Sequence, residues 1–337
     1  MRRLKLGIVG AMQRRQLFGL AAYGMATLCL PVIAQTERRV RRIGYLGGGT
    51  LANDAPWLAA FRQGLAQLGW VEGRDYVLDA HFANSVPAAA PPLAAELVAS
   101  LPDLILVPAD GGALMLVERT KTIPIVFAQA ADPVGLGLAA SLQKPGGNVT
   151  GLTSLVTELG PKRLQLLKEA FPRVTSVGVL SDATRNSLAQ VKEMEEAAKT
   201  LGIRVHLMEL RKIVDIDSAF KRGASLGLHA YTAVTGAITI NQRPAIIEHI
   251  FRAKLPAIYP LSVFTDSGGL LSYGISTPDN FRRAAAYVDK ILKGTKPGDL
   301  PIEQPTRFEM VVNMKTAKAL NFAFPQTILL RADRVIE

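Results

Sequence analysis

The sequence predicts an α/β protein of two Rossmann-like lobes, each built on a parallel sheet and joined by hinge crossovers. Three observations carry that expectation. Short apolar strands rich in branched residues alternate with amphipathic helices along most of the chain, which is the pattern of parallel sheets with right-handed crossovers. The alternation is written twice, over Arg42 to Val126 and over Val174 to Tyr259. A glycine-flanked strand follows each copy, in residues 144–153 and 267–274, where the chain is expected to cross between lobes.

The first copy reads strand IGYLG, helix APWLAAFRQGLAQLGW, strand YVLDAHF, helix PPLAAELVAS, strand LILVPA, a helix, and the strand Ile123 to Phe127. The second reads SVGVLSD, SLAQVKEMEEAAKTLG, RVHLMEL, DIDSAFKRGASLG, AYTAV, RPAIIEHIFRAK and the strand Leu255 to Tyr259. Phe61, Leu65 and Leu68 recur at helical spacing, as do Leu164, Leu167 and Phe171 with Lys162, Arg163 and Lys168 between them. Leu68-Gly69 and Leu201-Gly202 end the first helix of each copy in the same way. After the second crossing, Asp279 to Leu292 reads as a helix returning to the first lobe, stopped by Lys293 to Gly298. Phe308 to Val312 is one more strand and Lys315 to Leu320 a short helix. The expected lobes are therefore 40–152 with 274–307, and 153–273 with 308–337. Ligands of such sheets bind beyond the carboxyl ends of the strands.

Residues 1–34 read as an export signal. Five basic residues precede the apolar stretch Leu17 to Ala34, no acid interrupts it, and Val32 and Ala34 supply the small residues of a cleavage site. Arg14-Arg15-Gln16-Leu17-Phe18 resembles a twin-arginine signal, and Met12 is an alternative start. Cys29, the single cysteine, follows Leu28 and so departs from a lipoprotein box. Cleavage after Ala34 leaves no cysteine, which excludes disulfides, thiolate metal sites and a cysteine nucleophile and suits an oxidising periplasm. The net charge of +11 falls to +6 without the leader, scattered over 34 basic and 28 acidic side chains. No basic stripe with interleaved aromatics appears, which argues against nucleic acid.

Enzyme motifs were weighed against plainer readings. Gly47-Gly48-Gly49-Thr50-Leu51-Ala52 with Asp79 fits a dinucleotide fingerprint. Asn53 and Pro56, however, place the expected helix start several residues after the glycines, which favours an extended ligand-facing loop. His81, His206, His229 and His249 show no metal spacing, and no residues assemble a nucleophile with a base. Catalysis, a metal and a cofactor are accordingly not expected.

Leu255-Pro256-Ala257-Ile258-Tyr259-Pro260, Gly268 to Gly274, Phe281 to Ala285, Tyr287 to Gly294, Leu300 to Thr306 and Asn313 to Leu320 follow one another in an order that resembles the substrate-binding proteins of ABC transporters. Phe61 to Leu65, Leu68 to Trp70, Ile123 to Phe127, Asp132 to Gly135 and Lys144 to Gly151 agree. The resemblance implies a type I periplasmic-binding-protein fold, close to tryptophan- and amino-acid-binding members. It also implies ligand-binding positions at Gly49, Thr50, Asp110, Gly111, Gln129 and Asp132 in the first lobe. In the second lobe they are Ser181, Asp182, Thr235, Gly236 and Tyr259, with Tyr273 at the cleft floor. Asp110 stands where members commonly carry a small hydroxyl residue, which favours a ligand with a cationic or neutral polar head unless Asp110 only caps its helix. Asp132 and Asp182 read equally as helix caps, and Trp57 as a lid aromatic or a surface residue. Gly48, Gly49, Gly111 and Gly236 suggest close backbone approach or unusual dihedrals.

The expected function is an exported, periplasmic solute-binding component of an ABC importer. It would capture a small polar or aromatic molecule (an amino acid, an aromatic or an amine) in the interlobe cleft, hand it to permease subunits, and act as a monomer. The alternatives are a periplasmic sensor feeding a signalling partner, and an α/β enzyme.

Overall fold

Strand β1 (Arg41–Gly47) opens the ordered architecture of the computed structural model, which describes residues 39–154 and 156–337, and its last five residues are buried. Helix α1 (Leu51–Gln67), β2 (Tyr76–Phe82), α2 (Ala90–Ala99), β3 (Leu104–Val107), α3 (Asp110–Val117), β4 (Ile125–Ala130) and β5 (Val149–Thr153) follow. The five strands form one sheet in the order β2-β1-β3-β4-β5, every pair parallel. The second sheet is reached through α4 (Val156–Ala170) and built from β6 (Ser176–Asp182), α5 (Arg185–Leu201), β7 (Arg204–Leu210), α6 (Asp215–Ser225) and β8 (Ala230–Ala233). It continues with α7 (Ala237–Asn241), α8 (Arg243–Ala253), β9 (Ala257–Tyr259), α9 (Ser262–Asp266) and β10 (Leu271–Ile275). The chain then makes α10 (Thr277–Leu292), β11 (Phe308–Asn313), α11 (Met314–Leu320), α12 (Gln326–Leu329) and β12 (Arg334–Ile336).

Strands β7-β6-β8-β9-β10 repeat the order of the first sheet, so the duplication seen in the sequence is a duplication of topology. Strand β11 then adds antiparallel to β10, and β12 parallel to β11. Both sheets lie within one unit, Val40–Glu337. The expected leader over 1–34 lies outside the described residues. Among the described residues, no helix is long and apolar enough to cross a membrane.

Helix α10 leaves the second sheet and packs on the first. Its Phe281, Ala284, Ala285, Tyr287 and Val288 join Phe61, Leu65, Leu104 and Val126 in one buried cluster. Trp57 belongs to this core as well, stacked on Phe281 with ring centroids 5.7 Å apart, so it is neither a lid nor a surface residue. On the second sheet, one cluster lies between the strands and α4, α5, α11 and α12, and another lies on the face covered by α6 and α8.

Two local expectations change. Helix α1 starts directly after Thr50, whose hydroxyl accepts the Asn53 N–H at 3.3 Å, and not at Asn53. Pro56 then sits inside the helix in its second turn, where it leaves the Ala52 carbonyl without the backbone donor another residue would supply. Arg163, one of the basic residues set between the apolar positions of α4, is wholly buried.

The α1·α10 contact makes a testable claim. A Cβ on Gly64 would come 2.5 Å from the Arg282 carbonyl oxygen and 2.8 Å from the Ala285 Cβ. Gly64→Val is expected to cost about 1–3 kcal/mol by overpacking, read as a lowered urea midpoint, whereas Gly111→Ala, where a Cβ meets nothing within 4 Å, should leave the midpoint in place.

Candidate functional site

All strands of the duplicated sheets run parallel, so the loops that follow them gather at one edge of each sheet. In each sheet the strand order reverses between the first and third strands, β1/β3 and β6/β8. This is the switch point at which open α/β sheets leave a crevice. The loops that flank it are Gly48 to Thr50 and Pro108 to Ala109 in one lobe, and Ala183 to Thr184 and Val234 to Gly236 in the other.

These loops meet. Asn186 Nδ2 donates to Asp110 Oδ2 at 3.0 Å. Arg243 Nη2 donates to Asn53 Oδ1 at 3.0 Å, and Asn53 Nδ2 to Asn241 Oδ1 at 3.5 Å. Gly49 permits this approach, since a Cβ there would lie 2.9 Å from Asn241 Oδ1.

The structure divides the residues proposed from sequence. Asp110, at the start of α3, accepts the Ala131 N–H at 3.1 Å besides Asn186, so its carboxylate ties two loops and both lobes together. Burial pushes its pKa up, against the hydrogen bonds that hold it down. Asp182 does not cap α5, which Thr184 caps. Its carboxylate instead accepts the Ile238 and Thr239 N–H groups at the head of α7, at 2.8 and 3.2 Å. Gly236 leaves room for that carboxylate, which a Cβ would strike. Thr235 donates through its N–H and hydroxyl to Gln190 Oε1, and Gln129 Oε1 accepts from Thr277 Oγ1 at 3.2 Å. Tyr273 on β10 is half-buried and stacks loosely on Phe308.

Other positions stand apart from the cleft edge or do a plainer job. Thr50 is the cap of α1. Asp132 is exposed, and its carboxylate accepts the Gly135 N–H in a turn, with no helix following. Ser181 is fully buried, its hydroxyl donating to the Asp182 carbonyl. Tyr259 is only 1% exposed, stacked on Phe264 at 4.8 Å inside the α6/α8 side of the sheet; burial raises its pKa. Gly48 and Gly111 have neither positive φ nor any close neighbour, so nothing in their surroundings demands glycine.

Sequence reasoning missed the most polar part of the edge. Asp54, 2% exposed, accepts a 2.8 Å hydrogen bond from the Tyr45 hydroxyl. Desolvation raises its pKa from 3.8 to about 6, against the Tyr45 hydrogen bond and the Arg243 charge from the facing lobe. Arg243 is in turn pushed down by burial, opposed by Asp54 and Asp266. Arg163 on α4 and Ser187 and Gln190 on α5 are further buried polar residues. A clue lay in α4 itself: Arg163 is flanked at four-residue spacing by Leu159 and Leu167, which marks an inward position.

Among the described residues no cluster of His, Cys, Asp and Glu has the makings of a metal site. A surface depression of about 480 Å³ lined by Lys199, Arg204, His206 and His229 lies at the opposite end of the second sheet, where β6 and β7 begin. It is therefore remote from the converging loops.

Comparisons with known proteins agree with this fold. The family model described as ABC transporter substrate binding protein matches residues 57–336. A tyrosine-binding protein of Clostridioides difficile is 26% identical over 262 residues, 77% of this chain and 75% of that protein. An ABC domain from Streptococcus pneumoniae, solved in complex with L-Trp, is 26% identical with a TM-score of 0.80, over 88% of this chain and 100% of that one. A conserved domain protein from Vibrio cholerae is 29% identical with the same TM-score, over 88% and 99%.

The Asp54 shift has a sign that can be checked. A carboxyl whose folded pKa exceeds its unfolded value contributes fully below pH about 4, and the contribution is lost as pH rises through about 6, here by about 3 kcal/mol. Asp54→Asn should therefore flatten the fall of stability between pH 4 and pH 7, seen as urea midpoints that converge with wild type at low pH and exceed it at neutral pH.

Proposed function

The chain belongs to the ABC transporter substrate-binding protein family, and from that premise we propose that it is an exported solute receptor that captures an amino acid or a close analogue between its lobes by hinge closure. The observation that carries the reading is the meeting of the two switch-point edges through Asn186 with Asp110 and Arg243 with Asn53. These are polar contacts between the first turns of helices, with only the partly buried Ile240 and Val263 of the second lobe packed against the core of the first beside them. Such contacts break and re-form with little cost, as a cleft that opens and shuts requires. The relatives that bind tyrosine and L-Trp support an amino-acid ligand, aromatic ones first. The basic, apolar leader over residues 1–34 supports export to the periplasm.

Family membership supports delivery to membrane permease subunits as the partner role, and a monomer is the simplest diffusing carrier. In this reading the lobe boundaries are 40–152 with 274–307, and 153–273 with 308–337, so the chain crosses three times, at the ends of β5 and β10 and at the start of β11. The candidate ligand contacts in this reading are Gly49, Thr50, Asp110, Gly111, Gln129 and Asp132 from one lobe and Asp182, Thr235, Gly236 and Tyr273 from the other. Tyr259 and Ser181 support them from beneath.

Isothermal titration with L-tyrosine and L-tryptophan is the direct test, with the ligand recovered unchanged afterwards. Saturation at a hundred times Kd should also stabilise the fold by about 2.7 kcal/mol. Arg243→Ala should weaken binding by about tenfold through lost closure contacts, mostly as faster release. Absence of binding by any amino acid, or chemical turnover of the ligand, would set the reading aside.

A further inference from the structure

Arg163 has a geometry that the rest of the protein does not explain. Its side chain is 0% exposed, and Nε, Nη1 and Nη2 all lack a hydrogen-bond partner. Its surroundings are polar on one side only. Register places Val179, Thr232, Ile258, Leu271 and Val312 at one level across the sheet face that α4 covers. Alternation of side chains puts Ser181 and Tyr273 on the same face one level closer to the carboxyl edge, and Tyr273 lies opposite Met310, which faces α4. Tyr273 is also the group with which Arg163 interacts electrostatically, and burial lowers the Arg163 pKa only to about 10, so the side chain stays charged at neutral pH. Helix α4 begins just after Ser154, whose N–H binds the Ala130 carbonyl at the carboxyl edge of the first sheet. Side chains of a helix lean toward its N-terminus, which here is the cleft end.

A charged guanidinium without an anion is one of the costlier groups to bury. Gln190 is satisfied by Thr235 and Asn186, Ser187 by Thr184 and Thr235, and Ser181 by Asp182; the neutral Thr232 hydroxyl on the same sheet face also lacks a partner, but Arg163 is the group there that carries a charge. Arg163 forms no ion pair with any described carboxylate. Asp110, the acid on the facing lobe, is already held by Ala131 and Asn186.

We propose that Arg163 is the anion receptor of the second lobe, and that the ligand presents a carboxylate to it at the Tyr273 end of the cleft. The inference rests on the solute-receptor reading and sharpens it: the ligand is an organic acid or zwitterion, not an amine or a neutral solute. Tyr273, half-buried, stands between the guanidinium and the cleft, so a turn of its ring or a parting of the lobes gives the carboxylate access. Arg163 is thus a specificity residue that favours acids over their amides.

The experiment compares L-tyrosine with L-tyrosine amide by isothermal titration on the purified wild-type protein, Arg163→Met and Arg163→Lys, alongside melting curves without ligand. Wild type is expected to prefer tyrosine to the amide by at least about 30-fold. Arg163→Met should lose that preference by weakening tyrosine alone, while Arg163→Lys keeps part of it. The ligand-free Met variant should melt above wild type, since a stranded charge is removed. Retention of the acid-over-amide preference in Arg163→Met overturns the proposal, as does a ligand-free melting point well below wild type in both variants. If wild type binds neither probe, the amino-acid reading fails separately; a melting point that benzoate raises in wild type but not in Arg163→Met then supports the anion receptor, and an equal rise in both overturns it.

Discussion

Strand direction is the constraint on which the rest of this structure depends. A parallel strand cannot be followed by a tight hairpin, so each is followed by a crossover that returns the chain to the start of the next strand, a helix in every case but the irregular 131–148 between β4 and β5. Every loop after a strand therefore lies at one edge. Two sheets with the same order, β2-β1-β3-β4-β5 and β7-β6-β8-β9-β10, each open a crevice between the first and third strands. The polar residues in these loops owe their shared location to topology. Asp110 and Asn186 are 76 positions apart in sequence and 3.0 Å apart in space because both follow the switch point of their own sheet.

That edge concentrates buried charge. Asp54, Asp110 and Asp182 are all pushed toward the neutral form by burial, and Arg163 and Arg243 are pushed the same way from the other side. Burial of charge is tolerable when hydrogen bonds return what desolvation removes. Asp182 has two backbone donors at the head of α7, and Asp110 has a backbone donor and an amide. Asp54 has the Tyr45 hydroxyl and the more distant Arg243. Arg163 has no such return within the described residues, which is what separates it from a structural ion pair.

The sequence made the lobes legible because periodicity and repetition are local signals. Strands β2, β6 and β7 fall at the expected residues to the position, and α10 begins at Thr277, two residues before the expected Asp279. Side-chain destinations were less legible. Asp182 was read against the helix that follows it, yet its partners are 56 and 57 residues later, on α7. Tyr259 was placed at the cleft because it ends a strand, but alternation along three residues turns it into the α6/α8 core. Arg163 was read by its charge, while its neighbours Leu159 and Leu167 announced an inward position. In each case the deciding information was which face a residue takes, and that depends on packing partners distant in sequence.

The cleft edge also bounds how a ligand can act on the fold. The lobes touch through a few side-chain hydrogen bonds, each contributing about 1 kcal/mol net, and through the partly buried Ile240 and Val263, and a ligand shifts opening against closure only by its differential affinity for the two. A solute bound to one lobe alone would leave that balance untouched, however tightly it bound. Effective capture therefore requires groups that engage both lobes at once. Asp110 at the edge of one lobe and, in the proposed role, Arg163 behind Tyr273 in the other have opposite sign, an arrangement matched to a molecule that carries both charges. A zwitterion between them would satisfy the stranded guanidinium and hold the lobes together through the same contacts, so that binding and closure become one equilibrium.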